Sequence, residues 1–291
     1  IPAERFIEKN KINFPFSIDF IRQANAGPAS ARNNGLAKAK GDIVLFIDDD
    51  VLLDVNALQE HIQAHQQKPG SVVYGNYPYV IPEKTSPAYR YMKKLIDDGL
   101  KDIIENNPGK HLVKVNSVAS GNLSVPKELF SGENNLYDTS LSIPAAEEYD
   151  LMYSLKKRGI PVYFGIDIMK AWHLQPVTIK DKCLQEFKYG TGITEVCIKK
   201  PEVLAYDPVR IMYENNGPVL QTDSFSVKLK KWVKCLFLFA PTRAFLIGFI
   251  GICEKILPVD FILFPLYRFI TGLSLMAGIR KGQRMFKPSQ L

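Results

Sequence analysis

Residues 27–50, GPASARNNGLAKAKGDIVLFIDDD, read as helix, tight turn, buried strand and three adjacent carboxylates. Ile43 to Ile47 is an unbroken apolar run rich in β-branched and aromatic residues, the pattern of a parallel strand buried on both faces. Open α/β sheets bind ligands beyond the carboxyl ends of their strands, which puts Asp48, Asp49 and Asp50 where a site belongs. If the strand persists, Asp48 and Asp50 point the same way. Carboxylates this crowded repel unless protonated or bridged by a cation, and hard oxygen ligands favour magnesium, manganese or calcium over zinc.

Upstream of this stretch, IPAERFIEKN reads as the end of a helix, and FSIDFIRQAN from Phe16 alternates as a strand does. Gly27 and Pro28 open the next helix, so strand, helix and strand make a βαβ unit. Arg32 and Asn33 fall in the first turns of that helix, where free backbone N–H groups and a positive dipole end attract phosphate. Beyond the triplet, Asp54 can cap a helix carrying Leu58 and Ile62 on one face. His61 and His65 share a face of the same helix, but HIQAH lacks the adjacent Glu of a metalloprotease helix and has no evident third ligand.

SVVYGNYPYV from Ser71 reads as a strand, AYRYMKKLIDDGLKDII as an amphipathic helix, and the tyrosines at 77, 79, 89 and 91 suit either the rim of a sugar cleft or core packing. Gly121 and Asn122 interrupt a strand-like run, which often marks close approach by a ligand or another backbone. A second acidic cluster, Glu147, Glu148 and Asp150, opens a helix closed by basic residues and Gly159. Its apolar lead-in, LSIPAA, points to at least one carboxylate entering the interior, where a raised pKa suits a general base. IMKAWHL is a short strand ending at His173.

Charge is unevenly distributed. Residues 228–287 hold 11 Lys and Arg against two acids, a net +9, so the rest of the chain sums to −2 within the overall +7. A basic tail with long apolar runs suits an anionic membrane surface better than nucleic acid, which calls for a basic groove on the folded domain. Pro241 and Arg243 break its first apolar half, and Asp260, Pro265 and Arg268 its second, leaving neither the ~18 uncharged residues of a simple spanning helix. Basic clusters at both ends put both flanks on the cytoplasmic side, as in an interfacial or re-entrant helical hairpin. The four cysteines form no CxxC pair, in keeping with a reducing compartment.

The ordered set GPASARNNGLAKAKGDIVLFIDDD, SGNLSVPKELF, EEYDLMYSLKKRG, the strand ending in Trp172-His173, and KYGTG from Lys188 resembles family 2 of the glycosyltransferases, inverting enzymes with a GT-A fold. The resemblance implies an α/β GT-A (Rossmann-like) fold with a mixed, mainly parallel sheet flanked by helices. With the shift in composition from about Ser226, the chain divides into a catalytic domain over 1–205, a connector over 206–225 and a membrane-associating helical tail over 226–291. By the same resemblance Asp48 and Asp50, with Asp49 adjacent, match a DXD motif holding manganese or magnesium on the diphosphate of a nucleotide-sugar donor. His173 would complete the metal shell in some members. Gly27, Pro28, Arg32 and Asn33 would lie on the donor, and Gly121, Asn122 and Asp150 near the sugar or acceptor. Glu148 falls where the family usually has an Asp as catalytic base, with Glu147 before it. The family begins with two strands not visible before Ile1, so the chain reads as a fragment. The expected activity is transfer from a UDP-sugar to a glycan or lipid-linked acceptor in envelope polysaccharide synthesis, at the cytoplasmic face of a membrane. A polyprenyl-phosphate glycosyltransferase and a non-catalytic scaffold of a glycan assembly complex are the alternatives.

Overall fold

The apolar run of 43–47 forms a strand, and the elements around it follow the order read from the sequence. The computed structural model describes residues 2–10, 14–80, 86–130, 135–174 and 178–286; the end of the expected tail, 287–291, lies outside them. In chain order the first elements are α1 (Pro2–Asn10), α2 (Gly27–Lys38), β1 (Ile43–Ile47), β2 (Val51–Leu53), α3 (Ala57–Gln67) and β3 (Val72–Gly75). α4 (Pro87–Glu105), β4 (Leu112–Val115), β5 (Asn122–Pro126), α5 (Glu147–Lys157), β6 (Val162–Gly165) and β7 (Ala171–His173) follow. The chain continues as α6 (Ile179–Lys199), α7 (Asp207–Asn216), α8 (Phe225–Leu236), α9 (Ala240–Ile256) and α10 (Asp260–Met285). Ser86, Thr178 and Ser224 cap α4, α6 and α8 by accepting a backbone N–H three residues on, worth about 1 kcal/mol each.

The central sheet has the order β1-β5-β3-β6-β4, and β2 pairs with β7 in a separate ribbon. The sheet is mixed and helix-flanked, as expected, but its neighbours are mostly antiparallel: only β3 and β6 pair parallel. β1, β3 and β6 do run in one direction, and β5 lies between β1 and β3 in the other. Val72, Leu123, Val125 and Val162 of the sheet pack with Leu151 and Leu155 of α5 and Ile193 and Val196 of α6.

Three local readings change. β1 is not buried on both faces: among the described strands it has one neighbour, and Ile47 is 44% exposed. FSIDFIRQAN forms no strand, because no described strand pairs with it; Phe16 and Phe20 are exposed, and the βαβ unit lacks its first member. In α3 the buried face is Ala57, His61, Ala64 and His65, while Leu58 and Ile62 face solvent. The imidazoles can be buried because β5 supplies partners: Ser124 Oγ lies 2.8 Å from both His61 Nδ1 and His65 Nε2, and Asn122 Oδ1 lies 3.0 Å from His61 Nε2. This network gives both histidines a structural place and leaves the zinc reading without support. Asp54 does not cap α3 directly; its Oδ1 accepts from Asn56 N, and the helix starts after Asn56.

The tail also differs. Pro241 sits in the first turn of α9, and the chain bends by 94° between α8 and α9. Asp260 begins α10 and is gripped by Arg90 of α4, while Pro265 and Arg268 lie inside a continuous 26-residue helix. α10 is long and apolar enough to cross a membrane, but 56% of its apolar window is buried inside the protein. Leu263, Tyr267, Ile270, Leu273 and Met276 are fully buried. α10 meets α6 so closely that a Cβ at Gly190 would come within 2.2 Å of the Leu275 carbonyl oxygen.

Two outcomes follow from this packing. Gly190→Ala must push the two helix backbones apart and should cost about 1–3 kcal/mol in urea unfolding. Burial, then repulsion from His61, pushes the His65 pKa down to about 4 from 6.5. The neutral ring takes up a proton on unfolding, so its contribution is complete above pH 6.5 and is lost as the pH falls toward 4. The melting temperature should therefore fall over that window, and His65→Phe should flatten the slope.

Candidate active site

β1 stops at Ile47 because the chain turns: Val51 N donates to Asp48 O at 3.1 Å, closing a tight turn over Asp48–Val51. The strand conformation therefore does not persist through the triplet, and the three carboxylates diverge. Asp48 meets α2, with Arg32 Nη2 donating to its Oδ1 at 2.8 Å. Asp50 meets β7, its Oδ2 lying 3.1 Å from His173 Nε2. Asp49 is exposed. The β2–β7 ribbon creates the Asp50–His173 approach by pairing Val51 with His173, and Leu174 N locks it by donating to Asp50 O at 2.7 Å. Tyr79 stacks on the His173 ring at 4.8 Å and Tyr77 meets its edge at 6.1 Å.

Gly121 explains the close approach read from the sequence. Its backbone carbonyl accepts from Asp48 N, and a Cβ there would lie 2.8 Å from Asp48 Oδ2 and 2.9 Å from the Tyr77 ring. Asn122, next in the chain, turns the other way: it is fully buried, donates to Met169 O at 2.7 Å and serves His61. The structure therefore gives Asn122 a core position and not one beside the acidic cluster.

The second acidic cluster reaches this place through Ala146, which precedes α5 with φ of +71°, a left-handed conformation that a non-glycine residue holds only at a cost. The approach loop is held by Glu195 of α6, whose carboxylate accepts from Ser142 N, Ser142 Oγ and Ile143 N. Glu147 then faces Arg32, its Oε1 3.7 Å from Nη1. Neither Arg32 Nη1 nor Glu147 Oε2 has a hydrogen-bond partner, although both atoms are buried. Burial, followed by repulsion from Glu148, raises the Glu147 pKa. Burial works against the charge of Arg32, but Tyr137, Asp48 and Glu148 outweigh it and raise its pKa.

Glu148 is only half-buried and opens, with Tyr79, Lys188 and Tyr189, onto a cleft of about 370 Å³. Asp150 lies elsewhere, buried and held by Lys200 at 2.7 Å, with Asp138 sharing that lysine at 2.6 Å. Its expected place beside a sugar is thus taken by a structural ion pair. A second cleft of about 410 Å³ is lined by Gly27 and Pro28, at the start of α2, and by Ser142, Ile143 and Glu147. Glu147 borders both clefts.

Asn33 has a different job from the one expected. It clamps the backbone of Tyr137, donating to its carbonyl at 2.7 Å and accepting from its N–H at 3.0 Å. Tyr137 is buried with its ring 5.4 Å from the Arg32 guanidinium carbon. Sequence reading did not single out Tyr137, Lys188 or Tyr189 as site residues. KYGTG flagged the last two only as part of a resemblance, and nothing local marks Tyr137. Tyr91 packs against Tyr267 and Phe264 among the tail helices, which settles it as core.

Residues 3–118 match the family described as "Glycosyl transferase family 2". The chain is 36% identical over 69 residues to an uncharacterized glycosyltransferase, YfnE, of Bacillus subtilis (strain 168), a stretch covering 24% of this chain and 17% of that protein. It is 37% identical over 60 residues to an uncharacterized glycosyltransferase of Haemophilus influenzae, covering 21% of this chain and 24% of the other. The matches thus span a quarter or less of the length of these curated relatives. Among solved structures, GalNAc-T7 with UDP, GalNAc and Mn2+ aligns over 78% of this chain and 44% of its own, with a TM-score of 0.46 and 14% identity. The Gly27–Asp50 stretch lies inside the residues that are similar to glycosyl transferase family 2.

Proposed function

We propose that the protein transfers a sugar, with inversion, from a nucleoside-diphosphate donor to a hydroxyl of a glycan or lipid-linked acceptor in envelope polysaccharide synthesis. A UDP-sugar is the default donor. Glu147, which borders both clefts, carries this reading: its buried Oε2 has no hydrogen-bond partner, nor has Arg32 Nη1 behind it, 3.7 Å from Glu147 Oε1, an arrangement that suits a polar ligand. The start of α2 opens onto the cleft shared with Glu147; Asn25 Oδ1 accepts from Gly27 N at 3.1 Å and Pro28 has no N–H, so the helix dipole, more than free backbone donors, suits the phosphates of a donor there. In this reading residues 1–205 are the catalytic domain, 206–225 the connector and 226–291 a tail on the cytoplasmic face of a membrane.

The chemistry assigned to each residue follows from its surroundings. Inverting transfer is one displacement at the anomeric carbon, so the acceptor hydroxyl must lose its proton as it attacks. Glu148, facing the open cleft, takes that proton. Glu147, buried against Arg32, keeps the guanidinium in place, and Arg32 offsets charge gained by the departing diphosphate. Tyr79 and Tyr189 offer aromatic faces to a pyranose ring in the Glu148 cleft.

The residues also suit a divalent cation. A carboxylate oxygen and an imidazole nitrogen converge at Asp50 and His173, and such a pair serves manganese or magnesium when phosphate oxygens complete the shell. Among the described residues no group of three His, Cys, Asp or Glu side chains gathers to hold a metal, because Asp48 is engaged by Arg32. The cation would therefore sit on Asp50 and His173, where it would act as a Lewis acid toward the diphosphate.

Two measurements test the assignment. Glu148→Gln should lower transfer about 10²–10⁴-fold with donor affinity retained, while Glu147→Gln should keep a larger share of activity. Equal losses in the two variants, or full activity in Glu148→Gln, would remove Glu148 from the role of base. Calorimetric titration with manganese in the presence of UDP should show a site weakened in both Asp50→Asn and His173→Ala, and unchanged binding in both would exclude that pair as ligands.

A further inference from the structure

A second opening, unused by the chemistry above, lies between α7, α8 and α10. Its volume is about 990 Å³. Lys230, Lys234 and Arg268 line it, and its one carboxylate, Glu186, is already paired with Lys182 at 2.8 Å. Lys234 Nζ donates to the neutral Asn216 Oδ1 at 3.0 Å, and neither Lys230 nor Arg268 has an ion pair among the described residues. The nearby Lys231 is buried and neutralised by Asp223 at 2.7 Å, so that carboxylate is not available to the others. Burial above all, and then Lys230, Arg268 and Lys231, lowers the Lys234 pKa.

The walls distinguish this cleft from a generic anion patch. Leu229, Val233, Phe269 and Leu275 line it beside the cations. α8 continues outward with exposed apolar side chains: Phe225 is 76%, Trp232 53% and Leu236 77% exposed, and Phe239 and Phe245 follow at the α8–α9 bend. A soluble anion would use the charges and leave the apolar surface wet. A neutral membrane would cover the apolar surface and strand the charges. An amphiphile with a phosphate head and aliphatic chains satisfies both.

We propose that the cleft binds the phosphate headgroup of an anionic membrane phospholipid, with the acyl chains leaving it over Leu229 and Val233, the exposed apolar residues of α8 that line its edge. Lys234 and Arg268 contact the phosphate from opposite helices, and Lys230 adds charge at the mouth. The proposal rests on the reading of the tail as membrane-attached and fixes where the tail recognises lipid.

Co-sedimentation of the full chain with vesicles of phosphatidylcholine, alone or mixed with phosphatidylglycerol, tests it. Binding should strengthen with phosphatidylglycerol, and Lys234→Gln and Arg268→Gln should each weaken it about fivefold or more. Lys228→Gln, which removes a basic residue outside the cleft, should weaken it less. Glutamine at 234 can still donate to Asn216, and circular dichroism checks that the helices remain. Equal binding of the cleft variants and Lys228→Gln, or of neutral and anionic vesicles, would overturn the lipid site and leave membrane attachment standing. No binding to either vesicle would overturn both.

Discussion

Arg32 and Asp48 form an ion pair between helix α2 and the end of strand β1, and most of the candidate site is arranged around it. A half-buried guanidinium pays a desolvation cost that one carboxylate only partly offsets. The remaining compensation comes from Tyr137 beneath it and from the two glutamates at the start of α5. Each of these must be held in place by something else. Asn33 holds the Tyr137 backbone, Glu195 holds the loop before α5, and Gly121 lets Asp48 come close enough to the β5 backbone. The charged centre is thereby tied to α2, α5, α6 and two strands at once.

The same interdependence joins the site to the C-terminal helices. α6 contributes Glu195 to the approach loop and Lys188 and Tyr189 to the cleft, and along another face it packs on α10 through Gly190. A helix whose composition suits a bilayer is here largely a core element, buried against a helix that lines the site. What remains apolar and exposed is concentrated on α8, α9 and the start of α10.

Much of this was legible in the chain because it depends on local chemistry. An apolar run ending in Asp48, Asp49 and Asp50 marks a strand end whatever surrounds it, and an acidic start with a basic end marks α5 through the helix dipole. The order of these motifs also sufficed to suggest the family. Three errors share one cause, since each needed knowledge of the neighbour. β1 looked doubly buried, but its composition cannot say that, among the described strands, only β5 lies beside it. Leu58 and Ile62 looked like the inner face of α3, yet Ser124 and Asn122 of β5 make His61 and His65 the residues to bury. Pro265 looked like a break, but α10 is continuous, packed against α6.

The sequence by itself determined most of the elements, their order and the identity of the acidic and basic groups available for chemistry, because propensity, capping and dipole effects act within a few residues. Only the tertiary structure decided which of those groups meet. Asp48 goes to Arg32 and Asp50 to His173 because a tight turn and the β2–β7 ribbon intervene where an extended strand would have kept them together. Asp150 goes to Lys200 and Asn122 to His61 because a buried polar group must find a partner, and the nearest one in space lies 50 to 61 residues away in the chain.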